Sequence, residues 1–131
     1  MLTYNVEKHI GQLRDLMRQY GLTQSKLVLV DDVAKWVKEH KITETNPFRA
    51  AVAVRRTASQ IRDIVVLKEI PADEVESIKS AMKFRGFYGQ TERLNDEWLF
   101  IKHLVLHEIA HCKDISDEKN ADQWAFDNLN N

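Results

Sequence analysis

The chain has 131 residues, 44% of them hydrophobic, which suffices for one continuous core and predicts a single domain over 1–131. Nineteen basic side chains against twenty acidic ones leave a net charge of −1, so no chain-wide field draws it to nucleic acid or to an anionic membrane. One cysteine, Cys112, excludes an internal disulfide framework and fits a reducing compartment. The opening MLTYNVEKHIGQL lacks the pattern of a secretory signal, and no apolar run nears the roughly 20 residues of a membrane span; a cytoplasmic protein is expected.

In chain order, Val6, Ile10, Leu13, Met17 and Tyr20 recur at helical spacing and stop at Gly21, predicting an amphipathic helix with a glycine end. KLVLV then reads as a strand, and DDVAKWVKEH as a helix capped by an Asp. ETNPF reads as a turn; AAVAVRR and IRDIVVLKEI read as two strands joined through TASQ as a hairpin. Pro71 opens a helix with Asp73 and Glu74 in its first turn, where the dipole favours acids, and a stripe of Val75, Ile78 and Met82. RGFYGQTER breaks the pattern. From about Asn95 to Cys112 the chain is apolar around nearly the whole helix circumference, predicting a helix inside the core, and a last helix covers about Asp117 to Leu129.

That core helix carries HLVLHEIAHC. Positions i and i+4 share one helix face, so His107 and His111 can direct both imidazoles at one metal ion. Glu108, about 100° around the helix, can reach a water at that ion as a general base without being a ligand. A shuffled chain of this composition yields the pentapeptide at about the one-per-cent level, so the pair needs support from its surroundings. A catalytic zinc takes three protein ligands and keeps one position open. Six residues separate His111 from Glu118, enough for a tight turn into an antiparallel helix that brings Glu118 beside the histidines. Asp122, one turn further, falls nearer His107 and can orient its ring. Glu118 is the favoured third ligand and Asp122 the alternative. Without the histidines, both acids read as ordinary partners of a helix dipole.

H107-E-I-A-H111 followed by E118-K-N-A-D122-Q-W-A resembles the gluzincin-type zincin metallopeptidases, in particular the small ImmA/IrrE-like proteins of phages and mobile elements. The resemblance covers about 25 residues strongly and the upstream strands only in layout. It implies a zinc-dependent peptidase with ligands His107, His111 and Glu118, catalytic Glu108, and a protein or peptide substrate such as a transcriptional repressor. It also implies an α+β fold, with a short, mostly antiparallel sheet packed on the HExxH helix and a C-terminal ligand helix. The connection between the two helices is shorter here than is common in that group.

Tyr88 and Arg85, in the glycine-bounded segment before the core helix, are candidates to stabilise an oxyanion. A strand edge within 51–69 is expected to receive an extended peptide. His103 shares the face of the two histidines but lies about 12 Å along the axis from His111, too far to ligate the same ion, and reads as a packing residue. Cys112, Trp36, Trp98, Trp124 and Phe126 read as core. Two other functional classes compete. LRDLMRQYGLTQSKL resembles the first half of a helix-turn-helix, although residues 1–45 hold seven basic against six acidic groups and VLVDD is a poor second helix. A metal-stabilised binding or inhibitor protein would show the same ligands without hydrolysing anything.

Overall fold

The computed structural model describes residues 3–42, 50–56 and 59–131; the expected ETNPF turn and the first half of TASQ lie outside them. The chain is α+β and gathers into two compact units, one of Asn5–Glu69 and one of the residues up to Tyr4 with Ile70–Asn131. A two-residue strand β1 (Tyr4–Asn5), which the periodicity does not reveal, pairs with β5 (Glu69–Ile70), the end of the run read as one strand over 61–70.

In the first unit a 3-10 turn, Glu7–His9, precedes α1 (Ile10–Gln19), so the α-helix begins later than Val6, though Val6 is fully buried with Leu13. Gly21 at φ 82° ends it: Gly21 N–H donates to the Arg18 carbonyl and Leu22 N–H to that of Met17, the left-handed stop that glycine adopts without steric cost. β2 (Leu27–Val30) follows, then α2 (Val33–Glu39), whose cap is the Asp32 carboxylate accepting from Lys35 N–H. β3 (Ala51–Arg55) and β4 (Arg62–Leu67) form the expected antiparallel hairpin, and β2 lies parallel on the other side of β4, giving the order β2-β4-β3. A strand that occupies residues 27–30 leaves no second helix for a helix-turn-helix, and that reading fails on this point.

Val52, Val54 and Val65 pack with Val33 and Val37 of α2 on one sheet face. Ile64 and Val66 alternate to the other face and are also fully buried, so β4 reads as an uninterrupted apolar run because both its sides are covered.

In the second unit Pro71 stands just ahead of α3 (Ala72–Phe84), not inside it. Its stripe is Val75, Lys79 and Met82; Ile78 is only half-buried. A 3-10 turn (Gln90–Asn95) leads to α4 (Glu97–Cys112), capped by Asp96. Every residue from Phe100 to Ala110 is buried, as an all-round apolar helix requires. α5 (Glu118–Asp127) is capped by Asp117. Lys102 Nζ donates to the Asn131 carbonyl while Glu118 sits by His111, so α5 runs back along α4. Phe126 is buried as expected, but Trp36, Trp98, Trp124 and Cys112 are half-buried: large rings and a residue at a helix end reach the boundary of the core. Among the described residues no helix is long and apolar enough to cross a membrane.

Candidate metal centre

The end of α4 is built by the same kind of stop as that of α1. Asp114 takes φ 66°, its N–H donates to the His111 carbonyl, and Ile115 N–H donates to that of Ala110. This turn aims the Ile115 carbonyl back at the helix, where it accepts from His111 Nδ1 at 2.7 Å. A carbonyl can only accept, so the proton of a neutral His111 sits on Nδ1 and its Nε2 carries a lone pair. His107 is fixed likewise: Nδ1 faces Asp122 Oδ1 at 2.6 Å, which puts that proton on Nδ1 too. The two Nε2 atoms stand 3.1 Å apart.

Glu118 completes the cluster. Its Oε2 lies 3.1 Å from His107 Nε2 and its Oε1 3.0 Å from His111 Nε2. Two imidazole nitrogens and the two oxygens of one carboxylate thus converge at separations of 3.0–3.1 Å, close to the roughly 3.3 Å between ligand atoms bonded at about 2.0–2.1 Å to a tetrahedral ion. Two lone pairs and a carboxylate at this separation repel unless a cation or protons lie among them. The titration behaviour has the same origin. Burial opposes protonation of His107, but its bonds to Asp122 and Glu118 outweigh this and hold its pKa up at about 9. His111 is raised chiefly by Glu118. The donor set fits zinc: two neutral imidazoles and a carboxylate, each imidazole backed by an acceptor at its second nitrogen.

A second carboxylate, Glu108, is 3% exposed and offers an oxygen within 4.8 Å of the histidine nitrogens. Glu118 faces both nitrogens at once, at 3.0–3.1 Å. Asp122 takes the other role, at the back of His107.

Arg85 closes α3 and is followed by Gly86 at φ 104° in a further left-handed stop, with Phe87 N–H donating to the Met82 carbonyl. Its guanidinium bonds to Asp122 Oδ2 and lies 3.8 Å from Glu118 Oε2. Arg85, a candidate for the oxyanion role, thus holds the two acids. Burial raises the Asp122 pKa, yet the bond to His107, the His107 charge and Arg85 outweigh it, leaving the carboxyl below its ordinary value. Tyr88 is 69% exposed and is not among the contacts of this cluster. His103 packs against Phe126, ring centres 4.3 Å apart, and stands 3.9 Å from Asp122 Oδ1; burial drives it down to about 4, so it is neutral.

Sequence reasoning missed the Ile115 carbonyl and the clamp of Arg85. The first has no residue-type signal, since every residue has a carbonyl. The second depends on packing between α3 and α5. No family model matches the chain, and neither a curated protein nor a solved structure matches it.

Proposed function

We propose that the protein is a zinc-dependent peptidase of zincin-like architecture, with His107, His111 and Glu118 as ligands and Glu108 as general base. The observation that carries this reading is the convergence of two oriented lone pairs and one carboxylate beside a second, buried carboxylate. His107, His111 and Glu118 would hold a zinc ion, which would supply Lewis acidity toward a water and a peptide carbonyl. Glu108 removes the proton of the attacking water and returns it to the leaving nitrogen. Asp122 keeps the His107 proton on Nδ1, so Nε2 stays available as a donor of its lone pair. Arg85 offsets the charge of Asp122 and steadies Glu118. The substrate class is a protein, with a transcriptional regulator as the kind that the sequence resemblance suggests.

Metal analysis of the purified chain tests this: about one zinc per chain is expected, with most of it lost in His107→Ala, His111→Ala and Glu118→Ala. Protein that stays folded, holds no metal and takes up none on addition of zinc would overturn the proposal.

A further inference from the structure

We propose that the groove between α1 and the outer edge of β2 docks an extended acidic segment of a partner protein, which pairs with β2 through its backbone. The groove belongs to the Asn5–Glu69 unit, involves none of the candidate zinc residues, and does not depend on the peptidase reading.

The sheet order leaves β2 at an edge, and the register decides which of its groups are open. Ile64 N–H donates to the Lys26 carbonyl and Lys68 N–H to that of Val30, so residues 26, 28 and 30 turn their backbone groups toward β4. Backbone groups alternate along a strand, so the N–H and C=O of Leu27 and Leu29 point to the other side. No strand pairs with that side among the described residues. An edge of this kind accepts an extended peptide by β-augmentation.

What lies along the edge selects the occupant. The cavity there has a volume of about 560 Å³ and is lined by Arg14, Met17 and Arg18 of α1, by Leu22 and Lys26, and by β2 itself. It is basic on its rim and apolar below: Arg14, Arg18 and Lys26 are exposed, Met17 is buried, and no lining residue is acidic. Asp15 pairs with Arg18 and so takes up part of one charge. Asp63, the nearby acid of β4, is held by Arg56 and by Lys26 N–H. A strand alternating acidic and β-branched residues matches both layers, apolar side chains inward and carboxylates toward the basic rim. These residues fall within the stretch that resembles half of a helix-turn-helix; with β2 after it there is no recognition helix to enter a DNA groove, and duplex DNA becomes the control.

The test uses the full chain and three labelled probes: an eight-residue peptide alternating Glu and Val, one alternating Lys and Val, and a duplex DNA. Fluorescence anisotropy should show the Glu/Val peptide binding at least tenfold tighter than the other two. Hydrogen exchange should show new protection at Leu27 and Leu29, but not at Val28 and Val30, which the ladder already protects. Arg14→Glu with Lys26→Glu should weaken binding tenfold or more without moving the thermal midpoint. N-methylation of alternate peptide residues should abolish binding in one register and spare it in the other. The proposal is overturned if the DNA or the Lys/Val peptide binds as tightly. It is overturned equally if both methylated series behave alike, or if Leu27 and Leu29 gain no protection.

Discussion

In Asn5–Glu69 every described buried side chain is apolar, whereas the Ile70–Asn131 unit buries Lys79, Thr91, Lys102, His103, His107, Glu108 and Asp122. The first unit follows the ordinary logic of burial, in which each apolar side chain removed from water stabilises the fold by about 1.5–3 kcal/mol. The second accepts polar groups that cost free energy unless each finds a partner. Most of them do: Lys79 Nζ reaches Asn95 Oδ1, Lys102 Nζ the Asn131 carbonyl, and Thr91 Oγ1 the Tyr88 carbonyl. His107 and Asp122 satisfy each other. Only His103 Nε2 has no hydrogen-bond partner among the buried side-chain atoms described. Of these buried polar groups Asp122 is the one that orients an imidazole, that of His107, while the lysines and Thr91 are satisfied elsewhere.

The largest effect that sharpens this contrast belongs to Glu108. Glu108→Gln is nearly isosteric and lies outside the proposed ligand set, so zinc content should stay near one per chain while peptide hydrolysis falls by about 10²–10⁴-fold. Zinc analysis and a cleavage assay on the same preparation read both. If the variant keeps full biological effect with its metal, the metal-stabilised binding protein becomes the better account.

Ile64 provides the opposite case in the sheet unit. Ile64→Ala removes a fully buried side chain and should cost about 2–5 kcal/mol of stability through lost transfer energy and the cavity left behind. The folded variant should still bind one zinc. Loss of zinc by the folded protein would break the division of labour between the units.

Asp122 is expected to matter less than the ligands themselves. Asp122→Ala should retain zinc but weaken its binding by about 10–100-fold, the usual size of an effect exerted through a ligand's hydrogen-bond partner. Zinc competition with a chelator measures this. If Asp122→Ala loses metal more completely than Glu118→Ala, the ligand role passes to Asp122. Arg85→Ala would expose the same dependence one step removed, because the guanidinium bridges the two acids.

Much of this was legible because local rules and tertiary context agree. Helical spacing marks α1, α2, α4 and α5, with the glycine stop for α1 and an Asp cap for α2, and the histidine spacing sets both rings on one helix face. The i, i+4 geometry is internal to one helix, which is why the shared placement of His107 and His111 is legible in the sequence, and a six-residue connection constrains the placement of Glu118 and Asp122 almost as tightly. The clamp of Arg85 and the half-buried state of the tryptophans are not legible in the sequence, because their surroundings come from elements distant along the chain. A strand of two residues, such as β1, offers no period to detect, and the break at Lys68 that separates β5 from β4 leaves no mark in an apolar run. The parallel pairing of β2 with β4 likewise depends on a crossover that strand propensity does not encode.

The smallest effect concerns the one partly buried ion pair described in the sheet unit. Asp63 accepts from Arg56 Nε at 3.0 Å, from Arg56 Nη2 at 2.9 Å, and from Lys26 N–H at 2.8 Å. Burial alone would raise its pKa, but these hydrogen bonds and the Arg56 charge outweigh it, so the folded carboxyl titrates below its ordinary value. A carboxyl with a depressed folded pKa contributes stability that is fully present above the unfolded value near 4 and is lost as the pH falls through the folded value. Asp63→Asn should therefore be less stable than wild type at pH 6, by less than Ile64→Ala, and the gap should close toward pH 3 as the wild-type carboxylate takes up its proton. Urea unfolding of the metal-free proteins at both pH values isolates this term from the zinc site. A gap that stays constant with pH would mean that Asp63 acts through its hydrogen-bond geometry and not its charge, and the sheet unit would then owe none of its stability to an ionised side chain at this position.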